Sequence, residues 1–263
     1  MSTRNQAQDA QALYDGRATR YDDSWHARFT RHMAEMLSLR PGQHVLDLAC
    51  GTGLMTYRES TAVGPDGSVI GVDISSGMLS EAESKRHAHE PHNVHFYRHS
   101  ITELMSLEAL AGKTFDAITC VSALVLLPDP EKEVGKWVSL LKPGGRFMVD
   151  RPDDLRQLLE RAGLVEVDIQ LVSQKGSHSG TDDLPGFLCD YGDPCIENAY
   201  KAADGEALFR SKEGDPFTRG LFEADTKDLA VGLFNQEWGK LADADGSVLE
   251  VDGVFVAVGK RPT

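Results

Sequence analysis

Val45 to Gly53 reads VLDLACGTG: a short apolar run, an acid, and then a glycine-rich turn leading toward a helical pattern. Glycine lacks a Cβ, so Gly51 and Gly53 let the backbone approach a ligand closely and present its N–H groups to it. Taken alone, the run also fits a tight strand-to-helix turn with no ligand. A second stretch, Val69 to Leu79, reads VIGVDISSGML and ends an apolar strand at Asp73, 22 residues after Gly51. An acid at that place and distance is positioned to accept both hydroxyl protons of a ribose, although a lone strand-end Asp is more often a helix cap. Together the two motifs point to a nucleotide-like ligand.

Outward from this pair, short apolar runs alternate with helical patterns over the first 150 residues, which predicts βαβ units on a parallel sheet. Strands are expected near residues 44–49, 69–73, 94–98, 115–121 and 145–150. Asp129 and Pro130 open a helix whose apolar face carries Val134, Trp137, Val138 and Leu141, and Lys142 to Gly145 (KPGG) is read as its stop. Leu155, Leu158, Leu159 and Ala162 mark another helix, closed by Gly163, and Leu164 to Val172 reads as strand. From about Gly176 to Asp225 the chain is rich in Gly, Asp and Pro; a helix is expected near 226–241, and VLEVDGVFVAVG reads as a hairpin or a final buried strand. The expected layout is a helical cover over 1–40, a ligand-binding core over 41–175, a substrate-side insertion over 176–240 and a last strand within 241–263.

The 263 residues carry 41 acidic and 27 basic side chains, a net charge of −14. Residues 1–150 hold 19 and 15 of them, and residues 151–263 hold 22 and 12, so the acidity sits mainly in the C-terminal part. This balance argues against nucleic acid and against anionic membrane surfaces as partners, since both are gripped by clustered Lys and Arg. The polar start MSTRNQAQDAQ has no apolar core of a signal peptide, and no apolar run approaches membrane-spanning length. Cys50, Cys120, Cys189 and Cys195 show no metal-binding spacing. A reduced, cytoplasmic protein with a small-molecule partner is expected, with no metal and with its oligomeric state open.

The third position of a dinucleotide fingerprint is Thr56 here, not glycine, and Asp47 beside the turn would repel a pyrophosphate. S-adenosylmethionine carries a ribose, an adenine, an ammonium and a sulfonium but no phosphate, and fits better. With TFDAITCVSALVLLPDP and LLKPGGRFMVD added in order and spacing, Tyr14 to Val172 resembles the class I S-adenosylmethionine-dependent methyltransferases. The run from Tyr14 to Tyr21 and the strand-four stretch are similar to the ubiquinone/menaquinone-biosynthesis type. The tail from Glu237 to Gly259 is similar to small-molecule methyltransferases of fungal secondary metabolism, dithiol S-methyltransferases among them.

The resemblance implies a Rossmann-like, seven-stranded, mostly parallel sheet in which Val254 to Val258 supplies the antiparallel strand. It implies S-adenosylmethionine as methyl donor and S-adenosylhomocysteine as product. Asp47, just before the loop, would suit the donor's cationic groups and counts among the donor-binding residues; Ala49, Gly51 and Gly53 would line the methionine and ribose portion, Asp73 would hold the ribose, and Ile74 and Met78 would flank the adenine. Ser100, followed by Ile101, stands where the family usually has an adenine-binding Asp, and a serine accepts that hydrogen bond without charge assistance. Ser122 would lie near the reacting methyl, and Tyr21 and Trp25 would close over the donor. The acceptor is expected to be a small apolar phenol, quinol or thiol. Relatives with this tail carry a lid after strand five. Here Asp150 is followed by Arg151-Pro152 and a helix, so enclosure would fall to the N-terminal segment and the 176–240 insertion. A non-catalytic donor-binding subunit and, less favoured by Thr56, a nicotinamide-dependent oxidoreductase are the alternatives.

Other signals are weaker. His87, His89, His92, His95 and His99 form no fixed metal motif and read as solvated loop residues. Trp25, Phe29, Met33, Met36 and Leu37 recur at helical spacing, more as core than as a groove. The aromatics Phe187, Tyr191, Tyr200, Phe209, Phe217 and Phe222 suit either an apolar pocket or a satellite core. No general base is evident, with His26, His178 and Tyr14 as candidates by location.

Overall fold

The computed structural model describes residues 6–23, 26–86, 93–150, 155–173, 176–179, 196–201, 247–251 and 254–263. The chain forms two compact units, Met1–Phe187 with Val254–Thr263, and Leu188–Gly253. In the first, strands β1 (His44–Leu48), β2 (Ser68–Asp73), β3 (Val94–Arg98), β4 (Phe115–Cys120), β5 (Leu141–Asp150), β6 (Val165–Ser173), β7 (Gly176–Ser179) and β10 (Val254–Lys260) form one sheet. Its order is β3-β2-β1-β4-β5-β10-β6-β7. The strands from β3 to β5 pair in parallel, while β10 pairs antiparallel with both β5 and β6. This is the expected seven-stranded sheet, extended at one edge by the short antiparallel β7. In the second unit the described residues form an antiparallel pair, β8 (Ile196–Lys201) with β9 (Ser247–Val251).

Helices cover both faces: α1 (Gln6–Asp15), α2 (His26–Met36), α3 (Leu54–Val63), α4 (Ser76–Ser84), α5 (Pro130–Val138) and α6 (Leu155–Arg161). Alternation along β1 explains how the core divides. Leu46 and Leu48 face one layer with Trp137, Phe147 and Leu159, while Val45 faces the other with Phe29, Met33, Leu37 and Met55. The apolar stripe of α2 is thus core. At α5, Asp129 accepts the Lys132 N–H at 3.1 Å and Pro130 occupies the first turn, as the sequence leads one to expect.

Two readings need correction. KPGG is not a loop leading into the strand: β5 starts at Leu141, and Lys142–Gly145 bulges between the pairs Phe115–Leu141 and Ala117–Arg146. Gly145 is obligatory there, because a Cβ would meet the Lys142 carbonyl oxygen at 2.9 Å. Of the two readings of VLEVDGVFVAVG, the final buried strand holds, as 254–260, while Val248–Val251 pairs with β8. The apolar alternation of VLEV specifies a strand but not its partner. The sheet also runs past residue 175, through β7. The expected helix near 226–241 and the aromatics between Phe187 and Phe222, apart from the backbone of Tyr200 in β8, lie outside the described residues. Among the described residues no helix is long and apolar enough to cross a membrane.

Candidate functional site

A cavity of about 320 Å³ opens at the C-terminal ends of β1, β2 and β4, where parallel α/β sheets bind ligands. Its floor is Ala49, Gly51, Asp73, Ile74 and Met78; Ser100 and Ile101 follow β3, and Val121 and Ser122 follow β4. Tyr21 closes one side. Nine of the eleven sequence-derived residues therefore meet on one surface. The other two do not: Asp47 and Gly53 lie outside its lining. Gly53 caps α3 with φ of 80°, and a Cβ there would meet the Tyr57 ring at 3.0 Å, so that glycine is required by helix packing.

Asp73 is 7% exposed. Its Oδ2 accepts the Gly51 N–H and its Oδ1 the Ser75 N–H, both at 2.8 Å. The Ile74 N–H is a third backbone donor to this carboxylate, which leaves part of its acceptor capacity open. Burial raises its pKa, against the lowering by the Ser75 and Gly51 N–H groups. Gly51 has φ of 54°, and a Cβ there would point at the Tyr21 ring at 3.9 Å, in the space a ligand would need.

Asp47 lies beneath the loop, 2% exposed. Its Oδ2 accepts the Thr56 hydroxyl at 2.5 Å, and its Oδ1 lies 3.1 Å from Thr119 Oγ1. Thr119 Oγ1 is also 2.8 Å from Oε1 of the buried Glu59. Burial pushes Asp47 up to about 7 and raises Glu59 well above the usual carboxylate range. Asp47 borders only a small crevice of about 40 Å³, shared with His26, Tyr21, Gly51 and Ser122.

At the far end, Ser122 takes φ of 58°, unusual for a serine. Asp150 holds it there, accepting both its N–H and its hydroxyl. Burial lifts Asp150 to about 6. Of the suggested bases, Tyr14 lines the cavity with its phenol pKa raised by burial, and His26 stacks on Tyr21 at 4.8 Å with burial holding it near 4. The side chain of His178 and Trp25 lie outside the described residues, as do His87, His89 and His92. His99 is engaged by the Ser100 carbonyl and the Ser106 hydroxyl.

Sequence reading expected an N-terminal cover but did not name Ala7, Gln8 and Ala10 of α1, which join Tyr14 on the wall, nor the polar pair Thr102 and Glu103. The signal for the pair was adjacency to Ser100, whose hydroxyl bonds to that of Thr102 at 2.8 Å. The N-terminal cover is tied down at two points. Asp15 Oδ1 accepts the Ser75 hydroxyl at 2.6 Å and the Gly77 N–H at 2.8 Å. Asp22 accepts the Thr52 hydroxyl at 2.5 Å and pairs with Lys85, which also donates to the Thr52 carbonyl at 2.9 Å.

Residues 39–181, more than half of the chain, match the family described as Methyltransferase domain. A demethylmenaquinone methyltransferase from Symbiobacterium thermophilum is 35% identical over 162 residues, covering 56% of this chain and 60% of that protein. A ubiquinone/menaquinone biosynthesis C-methyltransferase from Vibrio cholerae is 35% identical over 125 residues, 47% of this chain and 46% of that one. The chain thus spans roughly half to three-fifths of these relatives. A solved O-methyltransferase from Thermotoga maritima, dependent on S-adenosylmethionine, superposes with a TM-score of 0.50 at 15% identity. It covers 89% of this chain and 64% of that one, a likeness of fold.

Proposed function

Because the chain belongs to the methyltransferase-domain family and is similar in sequence to menaquinone- and ubiquinone-biosynthesis members, we propose that it transfers a methyl group from S-adenosylmethionine to a small apolar acceptor. The observation that carries this is the two-sided cavity. One end holds the buried Asp73 carboxylate beside the glycine loop; the other is walled by Ala123, Leu126, Leu127 and Pro128. Its volume of about 320 Å³ falls in the range of small-molecule sites, about 300–1,000 Å³.

The residues present fit the donor. Asp73 offers its carboxylate to the ribose hydroxyls, Ile74 and Met78 offer an apolar slot for a base, and Gly51 leaves open the space a Cβ would fill. Asp47 takes no direct part in this lining and acts from below through its charge. When bound, the donor supplies a methyl group already activated on a cationic sulfonium. The protein's work is then to position the acceptor at about 3–3.5 Å and to keep water out. Tyr14 and Tyr21 cover the site, and α1 closes it from above. Asp150 fixes Ser122 and with it the turn that separates the donor end from the apolar end.

Two relatives carry names from menaquinone and ubiquinone biosynthesis, so a quinol belongs beside phenols and dithiols among the acceptors to try. The test is incubation with labelled S-adenosylmethionine and such a panel. A product heavier by one methyl supports the reading. Donor binding without transfer to any acceptor, together with a stable protein partner, would favour a non-catalytic subunit instead.

A further inference from the structure

The buried acids under the glycine loop have a proton count that geometry alone constrains. Asp47 on β1 and Thr119 on β4 point to the same face of the sheet, where α3 delivers Thr56 and Glu59. Glu59, Thr56 and Thr119 have no exposed surface, and Asp47 is 2% exposed. No described lysine, arginine or histidine lies within ion-pair distance of either carboxyl group. Among the described residues, the groups facing the pair add no cation: Asp73 at the end of β2, Cys50 in the loop, Cys120 on β4, and His26, which burial keeps neutral.

Thr119 has one hydroxyl proton, yet Oγ1 is within hydrogen-bond distance of both carboxyl groups. It can donate to one only, so the other must donate to it. The donors are unequally shared. Asp47 receives the hydroxyl and backbone N–H of Thr56, whereas Glu59 Oε2 is buried with no hydrogen-bond partner among the described residues. A buried ionised carboxylate with an unpartnered oxygen is far more costly than a neutral acid with an unpartnered carbonyl oxygen. We infer that Glu59 stands as a neutral carboxylic acid that donates to Thr119, which in turn donates to Asp47, so that Asp47 is the one carboxylate under the loop.

Glu59 is on this account a positioning residue: it acts on the donor site only through Thr119 and Asp47. The relay aims one negative charge at the underside of the loop, where the donor's ammonium and sulfonium would be attracted. This last link rests on the methyltransferase reading; the protonation of Glu59 does not.

Infrared difference spectra of the whole protein, wild type against Glu59→Gln at neutral pH, test the inference directly. The expected result is loss of a protonated-carboxylic-acid carbonyl band, assigned independently in the wild type by carbon-13-labelled glutamate. Loss of ionised-carboxylate bands instead would overturn it. A second readout is the pH dependence of S-adenosylhomocysteine affinity. Glu59→Gln, neutral and able to donate to Thr119, should keep the wild-type midpoint, while Thr119→Val, which removes a donor from Asp47, should move it to higher pH. A midpoint shifted to lower pH in Glu59→Gln would show that Glu59 carries charge and refute the relay. If the wild type binds no S-adenosylhomocysteine, the methyltransferase reading fails while the infrared result still decides the protonation.

Discussion

Replacing Asp15 by alanine should open the site without unfolding the protein. One oxygen of Asp15 accepts both the Ser75 hydroxyl and the Gly77 N–H, and Ser75 itself caps α4 by accepting the Met78 N–H at 3.0 Å. The contact therefore joins the end of α1 to the start of the helix that carries Met78. Losing a cap of this kind costs about 0.5–2 kcal/mol. Asp15 is only partly buried, so solvent screening places the loss in the lower half, about 0.5–1 kcal/mol. If that energy holds α1 and Tyr14 over the cavity, donor affinity should fall about 2- to 5-fold. The Ser75 and Gly77 hydrogen bonds hold the Asp15 pKa below the usual carboxylate range. Its contribution is thus complete above about pH 4 and is lost only as pH falls through the lowered value, so the effect should be equal at pH 7 and 8. Calorimetric titration with S-adenosylhomocysteine and amide hydrogen exchange over residues 6–15 would measure it. Unchanged affinity with unchanged exchange would refute the latch, and so would a loss of global stability as large as that of a core truncation.

Gly51→Val places a side chain where φ is 54° and the Tyr21 ring faces the loop; donor affinity should drop at least about tenfold, a difference of about 1.4 kcal/mol, while circular dichroism stays native. Trp137, fully buried against Phe147, should cost about 3–5 kcal/mol when cut to alanine, read as a lower denaturant midpoint. The pH profile of stability follows from the buried acids. Burial raises Asp47, Glu59, Asp73 and Asp150, so the native state holds protons that the unfolded chain releases, and stability should rise as pH falls from 8 to about 6. His26 opposes this below about 6.5, its ordinary value, because burial keeps the folded imidazole neutral down to about 4. Thermal melts across this range would show a flat or falling profile if the acids were ionised at no cost.

Most of the sheet was legible because its central strands and the helices α5 and α6 announce themselves locally. Alternation in VLDLA, capping by Asp129 and Pro130, and the stop at Gly163 all act within a few residues. The site was legible where it follows strand ends, as at Asp73, Ser100 and Ser122. What the sequence hid depends on contacts far along the chain. Asp47 stands in the right motif, yet Thr56 and Thr119, 9 and 72 residues away, draw its carboxyl beneath the loop and out of the cavity. The wall made by α1 depends on Asp15 meeting Ser75 across 60 residues. Likewise, VLEV marks a strand without naming β8 as its partner, since alternation fixes which face is buried and not which edge is joined.

The central claim is that the cavity over Asp73 binds S-adenosylmethionine. Titration calorimetry of the full chain with S-adenosylmethionine, repeated with Asp73→Ala and with NADH as competitor, tests it most directly. Saturable one-site binding is expected, weakened about tenfold or more by Asp73→Ala through the loss of charge-assisted hydrogen bonds worth about 1.5–3 kcal/mol, and undisturbed by NADH. Absence of binding by the intact protein, or displacement by NADH at low concentration, would contradict it.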